Sequence, residues 1–210
     1  MLRNKWLATL ILSLLISIVF IIADRLFGRA ERARMEEIEL KAEVGDLIFR
    51  ANSYILSSGK YYFKSGLPGH IAIVVSEGVF TGRDGEMGNI SVIESALLNR
   101  SKGEFQAVVA TNRMNENFGH TRGKRFLLKM HLNDEQKEKL IDLTREQTGK
   151  PYSIFAPSNS QVSFNCATFA RWAMLEVTGF DLDSDKGFFV FPNDILCSPR
   201  FDNPGDRVRF

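Results

Sequence analysis

The N-terminal end of this chain carries a long uncharged run that the surface of a globular domain could not accommodate. Residues 6–23 read WLATLILSLLISIVFIIA, and Arg3 and Lys5 precede them. A run of this length lies at the lower end of what spans a bilayer as a helix and exceeds the usual core of a signal peptide. Neither a small-residue cleavage site nor a nearby cysteine follows. We therefore expect an uncleaved membrane anchor over residues 1–24.

Two alternatives to an anchor stay open, namely a cleaved signal peptide and a helix buried in the core. Positive charge gives little guidance on orientation, because basic residues flank both ends of the run. Those after it are Arg25, Arg29, Arg32 and Arg34. On functional grounds we expect the body of the chain to lie outside the cytoplasm, as a single-pass protein of the cell membrane.

One domain is expected beyond the anchor. The charged stretch at 25–43 predicts a helical stalk, and the domain follows over 44–210, which is long enough for a substantial core. The net charge is +2, and no basic stripe is present. Nucleic acid is therefore not an expected partner.

Short apolar runs bounded by turn residues alternate with two amphipathic stretches, and this pattern predicts an α+β domain. A helix is expected over 134–148, ended by Gly149 and Pro151, and another from about Asn165 to about Val177. The run that begins at His70 is apolar on both faces and so predicts a central strand. The predicted strands lie at 47–49, 70–75, 90–94, 105–110 and 126–130.

Cys166 stands at the predicted start of the second helix, with Asn165 as its N-cap. Free N–H groups and the positive end of the helix dipole stabilise a thiolate there and can hold an oxyanion. A free cysteine is also often a small buried apolar residue, and a Cys166–Cys197 disulfide is a further alternative. Two cysteines are too few for a disulfide framework.

His70 is the histidine best placed to act as the base for such a thiol. It opens an apolar strand directly after Pro68 and Gly69, so its backbone is fixed while its ring can reach a cleft. The other histidines, His120 and His131, fall in polar segments. A structural histidine is the alternative.

Glu94 is the expected partner of this imidazole. Residues 90, 92 and 94 share one face of a strand, and the first two are apolar. A carboxylate on that face needs a partner, and an imidazole on the next strand would be oriented by it. A strand-end glutamate that reaches solvent is the alternative. No clustered ligands of zinc-site spacing occur, so neither a metal nor another cofactor is expected.

Four segments in a fixed order resemble a known family. They read GDLIF at 45–49, GHIAIV at 69–74, GKPY at 149–152 and FNC at 164–166. Together they resemble the permuted NlpC/P60 papain-like group, and within it the bacterial YiiX/YebB-like cysteine hydrolases, over residues 44–201. In unpermuted members the cysteine helix precedes the histidine strand, whereas here the histidine comes first.

The resemblance implies a papain-like fold in which an antiparallel sheet carries the histidine and packs on the cysteine helix. It implies that Cys166 is the nucleophile, His70 the base and Glu94 the orienting residue. Tyr152 is similar to a tyrosine that lines the oxyanion pocket in NlpC/P60 enzymes, and Asn165 belongs to the same pocket.

The expected activity is therefore a cysteine peptidase or amidase that cleaves an amide bond, above all in peptidoglycan stem peptides. The expected partners are a peptide- or acyl-containing substrate and, through the N-terminal helix, the membrane. Two alternatives stay open: a lipid or ester deacylase or acyltransferase of the same clan, and a non-catalytic binding module tethered to the membrane.

Overall fold

An antiparallel sheet organises the part of the chain that the computed structural model describes, which is residues 13–19, 33, 35–50, 69–76, 90–101, 104–114 and 125–210. Six strands form this sheet within those residues, in the order β4-β3-β2-β1-β5-β6. The strands are β1 (Leu47–Arg50), β2 (His70–Ser76), β3 (Ser91–Ser101), β4 (Glu104–Arg113), β5 (Arg125–Leu128) and β6 (Arg207–Arg209).

The predicted α+β class is confirmed, and each predicted strand overlaps an observed one. The central position predicted for the strand at His70 is also correct, since β2 pairs with β1 on one side and β3 on the other. Strand β6 was not predicted from the sequence, because three residues are too few to show an alternating pattern. The glycine-rich stretch 78–89 and His120 lie outside the described residues.

Three helices with defined ends follow or interrupt the strands in the described residues: α1 (Asp134–Arg145), α2 (Cys166–Thr178) and α3 (Pro192–Leu196). Asn133 caps α1 in a capping box with Gln136, and α1 ends three residues before the predicted boundary of 148. Helix α2 ends as predicted at Gly179, whose φ of 71° is the left-handed conformation that glycine adopts without strain.

The two faces of the sheet bury separate sets of side chains because successive strand residues point to opposite sides. On β1, Leu47 and Phe49 contact the helices, whereas Ile48 faces the other way. The face toward α1 and α2 forms the larger core, and Ala167, Ala170 and Ala173 of α2 are all buried in it. These small residues allow α2 to approach the sheet closely.

The opposite face is covered in part by the segment that was predicted to be a stalk. Residues 35–41 are helical, and Met35 and Ile38 are buried against Ile48 and Val74 of the sheet. The segment therefore packs on the domain along this length. Of the predicted anchor only residues 13–19 are described, as an exposed helix. No described helix combines the length and apolar character that crossing a membrane would require.

Close packing at the start of β2 explains why a glycine precedes His70. A Cβ atom on Gly69 would lie 2.7 Å from Cζ of Phe49 and 2.8 Å from the carbonyl oxygen of Arg50. Both distances are too short for real contacts, so only glycine lets β2 approach β1 here. The register, in which His70 lies opposite Arg50, depends on this contact.

Candidate active site

His70 and Glu94 come together on neighbouring strands. Alternation along β2 and β3 places them on the same side of the sheet as Ala72 and Val92. Nε2 of His70 is hydrogen-bonded to Oε2 of Glu94, and the glutamate is fully buried. The strand-end glutamate that reaches solvent, the alternative weighed from the sequence, is therefore not what the structure shows.

Asn112 on β4 is a second partner of the glutamate. Its Nδ2 donates to Oε1 of Glu94 at 3.2 Å, and its own side chain is buried. The carboxylate therefore has hydrogen bonds on both oxygens, which fixes the direction from which it meets the imidazole. Asn112 was missed from the sequence. The available signal was a polar residue on the same strand face as Val108 and Ala110.

Cys166 is the first residue of α2, and Asn165 is its N-cap as predicted. Oδ1 of Asn165 accepts from the N–H groups of Ala167 and Thr168, at 2.9 and 2.8 Å, and the Thr168 side chain completes a capping box. These two N–H groups are thus engaged by the cap. The N–H of Cys166 is therefore the group in this first turn that can donate to an oxyanion. The sequence had suggested that several N–H groups at the helix start would do so.

The thiol of Cys166 contacts the imidazole of His70. A hydrogen bond joins the two side chains, and the N–H of Ile71 on β2 also donates to the sulfur. Because Nε2 of His70 bonds to Glu94, Nδ1 is the ring nitrogen left to face the thiol. The arrangement places a thiol, an imidazole and a carboxylate in one chain of hydrogen bonds.

The charges at the site favour a thiolate beside an imidazolium. Burial alone would lower the pKa of His70, but the negative charges of Glu94 and Cys166 outweigh it and raise that pKa to about 9. Burial alone would raise the pKa of Cys166, but the charge and hydrogen bond of His70 outweigh it and lower that pKa. The two shifts have opposite sign, as an ion pair requires.

Arg50 adds a positive charge that was not anticipated. It lies opposite His70 on β1, and its guanidinium interacts electrostatically with Glu94 and Cys166. Burial lowers the pKa of Arg50, while these two negative charges oppose the shift. The positive charges of His70 and Arg50 thus act on both Glu94 and Cys166, and the buried Arg125 on β5 lies close enough to Arg50 to act on its charge.

Tyr152 lies beside the cysteine. A β-bridge joins it to Phe164, two residues before Cys166. Its N–H also donates to the carbonyl of Ala107 on β4 at 2.7 Å, and these two contacts hold its backbone in place. Burial raises the pKa of Tyr152, and the charge of Cys166 raises it further. The hydroxyl thus stays protonated and can donate to an oxyanion.

Cys166 is one of the residues that line an apolar cavity of about 330 Å³. Apart from Cys166, none of the described lining residues carries a charge. Asn165 also lines the cavity, and because its Oδ1 caps α2, only its Nδ2 can contact a substrate. The apolar part of the wall consists of Ile154, Phe155, Phe189, Val190, Phe191 and Pro192.

Neither cysteine is in a disulfide, so the Cys166–Cys197 bridge considered from the sequence does not form. Cys197 is exposed at the end of α3, whereas Cys166 is buried. His131 pairs with Asp206 at 2.9 Å, and its side chain is more than half exposed. It therefore lies at the surface, as its polar segment suggested. The chain thus offers one thiol inside the site and one outside it for comparison.

The pH dependence of alkylation should separate these two thiols. An ordinary thiol with a pKa of about 8.5 loses thiolate roughly tenfold per pH unit below that value. Because the pKa of Cys166 is lowered, its reaction with iodoacetamide should fall less steeply than that between pH 8.5 and 6. An ordinary thiol should slow by roughly 100-fold over the same range. Peptide mass spectrometry of each cysteine measures both rates, and parallel curves would contradict the ion pair.

A hydrogen-bonded thiol, imidazole and carboxylate on an α+β fold define the site. No protein-family model matches the chain, and no curated protein matches it. Among solved structures the chain is similar to the metalloprotein yiiX from Escherichia coli O157:H7, with a TM-score of 0.50 and 14% identity, over 80% of this chain and 96% of that one. The YiiX-like resemblance is thereby supported at the level of the fold.

Proposed function

We propose that the chain is a cysteine hydrolase that acts by acyl transfer, with Cys166 as nucleophile, His70 as base and Glu94 as the group that orients His70. The observation that carries the proposal is the continuous chain of hydrogen bonds from Cys166 through His70 to the fully buried Glu94. Burying the carboxylate of Glu94 beside His70 costs desolvation free energy. Activation of the Cys166 thiol gives a functional reason for keeping such a pair. A non-catalytic binding module would not need it.

The first half of the reaction forms a thioester. The Cys166 thiolate attacks the carbonyl carbon, and the N–H of Cys166 together with the Tyr152 hydroxyl holds the resulting oxyanion. As the tetrahedral intermediate collapses, the bond to the leaving group breaks and the proton on His70 moves to the departing amine or alcohol. Glu94 stabilises the imidazolium until that transfer.

The second half releases the acyl group. Neutral His70 takes a proton from water, the hydroxide attacks the thioester, and the C–S bond breaks to give a free carboxylic acid and the Cys166 thiolate. His70 is protonated again at the end, so the ion pair is restored. Substrate and water are the only reactants that the cycle consumes.

The order of the site's elements along the chain supports this assignment. In the chain the order is histidine strand, glutamate strand and then cysteine helix, and the antiparallel sheet carries the first two. We propose that these elements form a permuted papain-like site. The proposal extends to a cell-membrane protein anchored by residues 1–24, with the domain outside the cytoplasm and no nucleic-acid partner.

The apolar cavity bears on the substrate. Peptidoglycan stem peptides, the substrate class that the family resemblance favours, carry free carboxylates and amines, and a site for them would be lined with charged or amide groups. The wall beside Cys166 instead presents Phe155, Phe189 and Phe191. This wall favours the second candidate, an ester or amide whose acyl part is apolar, and a membrane tether suits such a substrate.

A competition between two substrate classes tests the proposal. The full-length protein in neutral detergent is given muropeptides in one reaction and phospholipids in another, and the released carboxylic acids or amines are identified by mass spectrometry. We expect release of fatty acid from the lipid, in the native protein but not in the Cys166→Ala variant. Cleavage of the muropeptide alone would show that peptidoglycan is the substrate class. Cleavage of neither compound would contradict the proposal that the protein hydrolyses lipids or stem peptides.

A further inference from the structure

Three carboxylates outside the catalytic group converge near the C-terminal end of the chain. They belong to Asp183 and Asp185, in the loop after α2, and to Asp194 in α3. One ligand oxygen from each lies within 4.8 Å of the others. Like charges held this close repel one another unless something between them compensates.

Asp183 shows that the cluster is more than a patch of exposed acids. Its side chain is only 4% exposed, and Oδ2 is buried without a hydrogen-bond partner. Oδ1 already accepts from the N–H groups of Asp185 and Lys186, at 3.3 and 3.1 Å. A buried carboxylate oxygen with no donor costs free energy, so this atom points to a ligand that the protein itself does not supply.

The nearby cationic side chains do not fill this role. Arg171 gives its Nε–H and Nη2–H to the two oxygens of Asp181, both at 2.6 Å, and its Nη1–H to the carbonyl of Ser158. Lys186 is exposed. The carboxyl group of Asp185 contacts that of Asp183, but a second carboxylate is an acceptor and supplies no donor.

We propose that Asp183, Asp185 and Asp194 bind a hard divalent cation of the calcium class. Such ions take carboxylate oxygens at 2.3–2.6 Å, so oxygens on opposite sides of one ion are about 5 Å apart and adjacent ones are closer. The observed limit of 4.8 Å fits a single ion that contacts all three residues. Soft metals are a poor match because the cluster contains neither a cysteine nor a histidine.

The position of the cluster gives the cation a role at the candidate active site. Asp183 and Asp185 lie just before the cavity-lining segment 189–192, and Asp194 lies just after it. Oδ2 of Asp194 also accepts from the N–H of Phe191. A cation shared by these residues would tie together the two ends of that segment and so hold one wall of the apolar cavity in place.

Calcium binding to the full-length protein in neutral detergent tests the site directly. Equilibrium dialysis against calcium should give one ion per chain with a Kd of about 10⁻⁴ M, toward the weak end of protein calcium sites. At about 10 mM calcium, roughly 100 times that Kd, the Tm should rise by about 5–10 °C relative to EDTA. Neither readout depends on hydrolase activity, so each can fail independently of the proposed function.

Charge-removing variants locate the ion. Asp183→Asn keeps the Oδ1 atom that accepts from the backbone. Asp185→Asn changes an exposed side chain, so it can still test the site if Asp183→Asn fails to fold. Each should weaken calcium binding at least tenfold and reduce the rise in Tm to about half or less, whereas Asp142→Asn, an exposed acid on α1, should leave both unchanged. Equal calcium binding by the native protein and Asp185→Asn would overturn the proposal, as would a Tm unaffected by calcium.

Discussion

Replacing Cys166 with alanine should abolish hydrolysis, lowering kcat/KM by at least about 10⁴-fold. In the proposed reaction the sulfur forms the covalent bond to the acyl group, and no neighbouring side chain can substitute for it. The cavity and the His70–Glu94 pair would remain, so substrate should still bind. Rates of fatty-acid release from a phospholipid, measured on the full-length protein in detergent, give the comparison.

The matched control is Cys197→Ala. This second cysteine is exposed at the end of α3 and does not line the cavity, so its removal should change kcat/KM by less than about twofold. Thermal unfolding of both variants shows whether either loses stability. Cys166→Ala removes an atom from a buried position, whereas Cys197→Ala removes one from an exposed position. Activity of Cys166→Ala within tenfold of the native protein would exclude Cys166 as the nucleophile.

Much of the fold could be predicted because its signals are local. Strand β2 is apolar on both faces and follows Pro68 and Gly69, and helix α2 begins at an asparagine cap and ends at Gly179. The pairing of His70 with Glu94 could also be predicted, because burying a carboxylate on an apolar strand face requires a partner on the next strand. Alternation then left few candidates for that partner.

The parts that were missed depend on which distant segments meet. Arg50 reaches the site only through the register of β1 with β2, and Asn112 only through that of β4 with β3. The cavity wall comes from residues 154–155 and 189–192, which lie far apart in the sequence. The three aspartates proposed to bind calcium show no metal-site spacing in the sequence, because only the fold brings Asp194 to Asp183 and Asp185.

Replacing Glu94 with glutamine should lower kcat/KM by roughly 10²–10⁴-fold while leaving the shape of the site almost unchanged. The amide keeps the size of the carboxylate but removes its charge. Glu94 bonds directly to His70, so its charge acts more strongly on the imidazole than on the thiol. Without it the pair should shift from thiolate and imidazolium toward neutral thiol and imidazole.

The matched control is Asp46→Asn, because Asp46 is also a buried carboxylate in an ion pair, with Lys129 at 2.6 Å, but lies outside the candidate site. Both variants should lose stability, since each leaves a cation with a weaker partner. Only Glu94→Gln should slow alkylation of Cys166 at pH 6, toward the behaviour of an ordinary thiol. A similar loss of reactivity in both variants would mean that Glu94 supports the fold and does not orient His70.

The pH dependence of the Glu94→Gln variant gives the decisive readout. In the native protein the pKa of His70 is raised to about 9, so kcat/KM should fall as the pH rises through that value and the imidazolium that protonates the leaving group is lost. The same shift stabilises the fold below the ordinary histidine pKa of about 6.5, and this stability disappears as the pH rises through 9. In Glu94→Gln both the alkaline limb of kcat/KM and the alkaline loss of unfolding free energy should move to lower pH. A purely structural role for Glu94 would lower the unfolding free energy but leave the alkaline limb of kcat/KM near 9.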